Sequence, residues 1–367
     1  MTIIHVLEPF ASGVTTAVCA ITGELPDFVH IVVHGQRNWT EESQQAAVEK
    51  VKQRFPPSVS FIEWKNATRE INLINDFKAL NELVTILKPF KKEKIVVHLH
   101  SSKAGFLGRV ACNILGIKTV IYTPHCGAFL RTDVSKFKRR QYRFFEQFGS
   151  CFGGRIVGCG PSEGMLYKKL GKNTTFVSNG VNIKKGIKAD NERKLICFTG
   201  IASTQKDTAF WNAIAKACAQ NAQKEGFSFC WIGDGPLASE IDQTIIQLTG
   251  WKTPDEVEEY LSKTAIYLST SAWEGLPYGV LEAMNFGCAL LLRDVPGNRE
   301  LVVTGENGRL FDTKEEAIYR LNSMMKNKSH LLDMGKKSKD VLEKNYSIRQ
   351  MGEGYRKVYI DAQGLKN

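Results

Sequence analysis

Two glutamates eight positions apart, Glu274 and Glu282, stand in the stretch SAWEGLPYGVLEAMNFGCALLLRDVPGNREL (271–301). An ionised carboxylate only accepts hydrogen bonds, and it holds hydroxyl donors strongly. Two carboxylates at one sheet edge suit a ligand with two hydroxyl-bearing rings, one acid meeting each ring. The bend between them, Gly275–Leu276–Pro277–Tyr278–Gly279, offers backbone amides to a phosphate. A purely structural reading exists for Glu282 alone, since an acid in the first turns of a helix complements its dipole. Upstream, ICFTGIASTQKD (196–207) runs from a strand into a loop holding Gly200, with Lys206 just before a helix. Amides at that helix start and one ammonium suit a diphosphate. In WIGDGP (231–236), Gly233 and Gly235 permit close backbone approach, although an ordinary tight turn has the same composition.

The first half has its own candidates. FASGVTT (10–16) places Gly13 between a strand and a helix, and YTPHCGAF (122–129) ends a strand at His125. A histidine just after a proline at a strand's carboxyl end is hard to explain by core packing and is read as a site residue. His98 and His100 share one strand face, which raises a metal pair. With no third ligand in reach by sequence they are read as wall residues.

The elements that position these residues follow from the apolar runs. Strands are expected at 2–8, 29–35, 59–64, 94–101, 118–125 and 155–160, with helical patterns such as 14–25 and 105–116 between them. The second half repeats the alternation, with strands at 194–200, 227–235, 248–252, 265–271 and 288–295 and helices at 207–223 and 254–264. Strands alternating with helices predict α/β units, each a mostly parallel, doubly wound sheet covered on both faces. The join falls in the polar stretch 176–194. Ligands of such sheets gather at the carboxyl ends of the strands, so two units facing each other are expected to form a cleft.

EGLPYGVLEAM (274–284) resembles the E-x7-E signature of family-4 retaining glycosyltransferases of the GT-B fold, of the bacterial surface-polysaccharide type. GVTTAV (13–18), SNGVN (178–182), WIGDGPL (231–237), GWKTPDEVEEYL (250–261) and GNRELV (297–302) follow in family order, so the resemblance covers nearly the whole chain. It implies two Rossmann-like domains, at 1–181 and 182–347, with a closing helix at about 348–367 crossing back to the first. It also implies a nucleotide-sugar donor held mainly by the second domain. On that likeness Glu282 matches the carboxylate on the nucleotide ribose, Glu274 the one on the donor sugar, and Lys206 the lysine on the diphosphate. Gly275, Leu276, Tyr278 and Gly279 supply amides near phosphate and sugar, and Gly250–Trp251–Lys252 borders the base. Gly13 lies beside the donor phosphates, and His125 lies near the reacting carbon of the sugar. One departure is plain. The family's Gly-Arg is Gly200–Ile201 here, which loads more of the phosphate charge onto Lys206, with Arg299 as a candidate helper.

The resemblance implies sugar transfer with retention by same-face attack, the leaving phosphate taking the acceptor's proton. No cofactor is implied, and no DxD motif stands beside a suitable strand, in line with a metal-independent enzyme. Composition agrees with a globular protein: 367 residues, 43% hydrophobic and 24% charged, with nine scattered cysteines and no CxxC pair. Reduced, packed thiols favour a cytoplasmic setting. No run approaches the roughly 18 apolar residues of a membrane span. The net charge of +11 gathers in 88–94, 135–148, 167–173 and 182–188. SKFKRRQYRFFEQF (135–148) mixes cations with aromatics as an interfacial helix does, which points to an anionic membrane bearing a lipid-linked or growing glycan acceptor. Two rivals are a non-hydrolysing sugar-nucleotide epimerase, which needs no E-x7-E pattern, and a basic nucleic-acid-binding protein. No recognition helix, RNP pattern or zinc spacing supports the latter, so no nucleic-acid partner is expected.

Overall fold

The computed structural model describes residues 1–35, 44–68, 71–170, 174–184 and 193–364. Part of the polar junction and of the basic stretches 167–173 and 182–188 lies outside these described residues. The chain divides into two compact units. The first comprises 1–130, 134–180 and 348–367, and the second comprises 131–133 and 181–347.

The first unit carries β1 (Thr2–Leu7), α1 (Ser12–Glu24), β2 (Val29–His34), α2 (Gln44–Lys52), β3 (Ser60–Glu63), α3 (Leu73–Leu87), β4 (Ile95–His100) and α4 (Ser102–Leu115). β5 (Val120–Thr123), α5 (Lys136–Gly149), β6 (Arg155–Gly158), α6 (Pro161–Lys168) and β7 (Thr174–Phe176) follow. Among the described residues the strands form one seven-stranded sheet in the order β3-β2-β1-β4-β5-β6-β7, every pairing parallel. β1 and β4 are buried on both faces, which explains why their text is apolar apart from the histidines and Thr2.

The second unit carries β8 (Leu195–Thr199), α7 (Thr208–Glu225), β9 (Ser228–Ile232), β10 (Ile246–Leu248), α8 (Pro254–Ser262), β11 (Thr264–Ser269), α9 (Tyr278–Asn285), β12 (Ala289–Arg293), β13 (Gly308–Phe311), α10 (Lys314–Met325) and α11 (Lys328–Asn345). Its described strands run β10-β9-β8-β11-β12-β13, again all parallel. The last helix, α12 (Ile348–Ala362), belongs to the first unit and packs along α1. There Arg356 grips Asp27 through two 2.6 Å bonds.

The expected α/β, doubly wound architecture is present in each unit. α8 starts as its sequence requires, with Pro254 at its first turn and a reciprocal capping box between Thr253 and Glu256. Two details differ. The strand expected at 248–252 ends at Leu248, because Gly250 turns the chain with φ +69° and hands it to the Thr253 cap. β7 and β13 are additional strands, of three and four residues, each the last strand of its sheet.

Candidate active site

In an open parallel sheet the crevice forms where strand order reverses. In the second unit that point lies between β8 and β11. The loop after β8 ends at Lys206 and the loop after β11 ends at Glu274. Lys206 Nζ donates to Glu274 Oε1 at 2.5 Å, and the Glu274 side chain is 7% exposed. The backbone around this pair is tied by side chains of both loops. Ala272 N donates to the Gln205 carbonyl at 2.8 Å, and Gln205 Nε2 donates to the Trp273 carbonyl at 3.0 Å. Thr270 Oγ1 donates to the Lys206 carbonyl at 2.8 Å. Asp207, at φ +54°, caps α7 through Phe210 N and takes Arg293 Nη1 at 2.8 Å. An ammonium has three N–H groups, so the Glu274 contact leaves further donors for a diphosphate.

Gly279 sits in the first turn of α9 against the end of β8. A Cβ there would lie 2.5 Å from Thr199 Oγ1 and 2.7 Å from the Tyr267 hydroxyl. Glu282, one turn on, contributes its charge to the same place. The Tyr267 hydroxyl is pushed well above its ordinary pKa, chiefly by burial, with the Glu282 carboxylate among the further causes. Gly233, at φ +137°, lies so close to the Gly200 carbonyl that no side chain fits. A bridge from Gly233 to Gly250 brings the turn carrying Trp251, 46% exposed, to the end of β9. Gly275 and Leu276 are buried behind Glu274, and Tyr278 opens α9. The second unit therefore groups Gly200, Lys206, Gly233, Glu274 and Gly279 with Glu282 behind them. Arg299 has another tie, since its Nε donates to Asp294 at 2.6 Å.

In the first unit the strand order reverses between β1 and β4. α1 begins at Ser12, so Gly13 lies in the first helical turn and not in a loop ahead of it. His125 follows β5 with φ +52°, and Cys126 follows with φ +82°, uncommon values for residues with a side chain. The buried carboxylate of Glu163 holds this kink by accepting from Cys126 N at 2.6 Å and Cys159 N at 2.8 Å. His125 Nε2 bonds His100 Nδ1 at 3.0 Å. Burial pushes the pKa of His125 down to about 3, so the ring is neutral.

The third ligand missing from the sequence reading exists: His5 joins His98 and His100, with nitrogens within 4.8 Å of one another. All six ring nitrogens are already bonded. His5 binds His100 and His30, His98 binds Tyr359 and Thr123, and His100 binds His5 and His125. Sequence reasoning missed His5, His30 and Glu163 because each acts from a different strand or helix. The alternation of His98 and His100 was the only visible signal.

Two doubly wound parallel units define the class of fold as GT-B. A structure of Anabaena Alr3699/HepE in complex with UDP and glucose matches 98% of this chain and 100% of its own, with TM-score 0.76 at 13% identity. Sucrose-phosphate synthase from Thermosynechococcus elongatus matches 98% and 99%, also at 0.76, with 14% identity. The family model described as Glycosyl transferases group 1 matches residues 181–341. The match spans most of the second unit, which is similar to that family. Among relatives, the Escherichia coli UDP-Gal:alpha-D-GlcNAc-diphosphoundecaprenol alpha-1,3-galactosyltransferase is 27% identical over 80% of this chain and 81% of its own. An uncharacterized 41.2 kDa protein in the cps region of Klebsiella pneumoniae is 24% identical over 86% of this chain and 87% of its own.

Proposed function

We propose that the protein transfers a sugar, with retention, from a uridine diphosphate-type donor to a hydroxyl of a lipid-linked or growing glycan in cell-surface polysaccharide assembly. The observation that carries this reading is the Lys206–Glu274 pair at the β8/β11 switch point, with Glu282 on the helix that starts beside it. Glu274 accepts hydroxyls of the donor sugar and Glu282 those of the ribose. Lys206 offsets charge on the departing diphosphate, which takes the acceptor's proton on the face where the new bond forms. The reaction so written needs no metal, because an ammonium and backbone amides meet the phosphate charge. His125 orients the sugar. The names of the Escherichia coli and Klebsiella pneumoniae relatives support a lipid-linked acceptor and a polysaccharide setting.

The surface of the first unit supports work on a membrane. Among the described residues no helix is long and apolar enough to cross a bilayer. α5 buries only Glu146 and Gly149, while Phe137 and Phe144 stand 70% and 59% exposed among its cations. Glu146 explains the outward aromatics. It anchors the helix through Ser102 Oγ and Tyr122 OH, each at 2.9 Å, with Arg109 at 3.5 Å. The start of α3 meets the same end of α4 through Asp76 and Lys103, 2.6 Å apart, and exposes Leu73, Ile74 and Phe77. Apolar side chains rimmed by Lys and Arg at one sheet edge fit an anionic lipid surface.

The test is a screen of purified protein against nucleotide sugars by thermal shift and hydrolysis, followed by transfer to a lipid-linked acceptor. Glu274→Ala is expected to lose most transfer. Near-wild-type turnover at saturating donor in that variant would refute the reading.

A further inference from the structure

We propose that the Leu25 carbonyl dictates, through a file of His30, His5 and His100, which nitrogen of His125 carries its proton, so that His125 meets a ligand with its Nδ1 lone pair. The file is continuous. His30 Nε2 lies 2.9 Å from the Leu25 oxygen, and His30 Nδ1 lies 3.2 Å from His5 Nε2. His5 Nδ1 lies 3.2 Å from His100 Nε2, and His100 Nδ1 lies 3.0 Å from His125 Nε2. Sheet register builds it. Ile3 pairs with His30, Leu7 with His100, and His100 with Thr123. Each histidine is thus one strand over and two residues nearer the carboxyl edge, on one face, from β2 through β1 and β4 to the second residue after β5.

A carbonyl oxygen only accepts, so His30 Nε2 must donate to it, which leaves Nδ1 of that ring as an acceptor. A neutral imidazole has one donor and one acceptor, so the same assignment passes to His5, to His100 and to His125. The reversed file would set the His30 Nε2 lone pair against the Leu25 oxygen, two acceptors in a buried place. Charging a ring is opposed as well. Burial is the main cause that lowers the pKa of all four, and neighbouring imidazoles add to it for His5 and His100. The open end is His125 Nδ1, which has no hydrogen-bond partner among the described residues. His30, His5 and His100 are positioning residues. That the lone pair receives a sugar hydroxyl rests on the proposed function, but the tautomer does not.

The experiment is long-range ¹H–¹⁵N correlation on full-length protein labelled at histidine, with resonances assigned by single substitutions. The wild type is expected to show Nε2–H and an unprotonated Nδ1 for all four rings. His30→Leu removes the anchor and is expected to convert His125, three rings away, wholly or partly to Nδ1–H. His30→Asn, whose amide oxygen takes the place of Nδ1, is expected to keep His125 as it was. An Nδ1–H form of His125 in the wild type, or a His125 unmoved by His30→Leu, overturns the proposal. If the substituted chains do not fold, the wild-type spectrum decides alone. No donor is needed, so the predicted tautomers in a chain without transferase activity would uphold the file and remove only the functional reading.

Discussion

Lys206 and Glu274 are 68 residues apart in sequence and meet at 2.5 Å. Each was visible alone, one before a helix and one before a glycine-rich bend, but their contact was not. It depends on β8 lying beside β11, a non-sequential neighbour. Their roles separate by substitution. Lys206→Ala should lower kcat about 10²–10³-fold, as loss of a transition-state charge contact does. It should also cost about 2 kcal/mol of stability, because a nearly buried carboxylate loses its cation while the lysine itself was partly solvated. Adding Glu274→Gln should recover stability in chemical denaturation without recovering turnover. A double variant no more stable than Lys206→Ala would show that the pair does not hold the loops.

At the scale of elements, most strands were legible because doubly covered parallel strands are written in predominantly apolar text. β7 and β13 escaped, being too short to show a pattern, and β10 was misplaced because Trp251 continued an apolar run past the Gly250 turn. The orientation of α5 was not legible either. Its aromatics could pack inward or outward, and a buried Glu146 network decided for outward. We expect vesicles rich in phosphatidylglycerol to carry the protein in flotation, and vesicles of phosphatidylcholine alone to carry much less. Phe144→Ala with Arg140→Ala should abolish most of that difference. Flotation indifferent to anionic lipid would end the docking hypothesis.

For the whole molecule, histidine is distributed unevenly. Of seven, only His330 belongs to the second unit. His5, His98 and His100 are fully buried, and burial holds their pKa values well below the ordinary 6.5. The unfolded chain therefore binds more protons below about pH 6.5, and stability falls as pH drops from there, by up to about 1.4 kcal/mol per pH unit for each ring. The loss should fall on the first unit. Of the six tryptophans, Trp211, Trp231, Trp251 and Trp273 lie in the second unit, whereas Trp39 and Trp64 lie in the first. With Trp39 and Trp64 replaced by Phe, tryptophan fluorescence should report a transition that moves little between pH 7.5 and 5.5, while a second transition seen by circular dichroism moves to lower temperature. Equal movement of both would contradict this assignment.

The place of α12 has a consequence during synthesis. Tyr359 bonds His98, and Tyr355 lies 3.4 Å from Thr123, so the first unit is closed by residues translated after the whole of the second. The second unit is nearly contiguous and has all but three of its residues between 181 and 347. On the ribosome the later-made half can therefore finish folding first. The earlier-made half waits, its His98 still uncovered, until α12 leaves the exit tunnel.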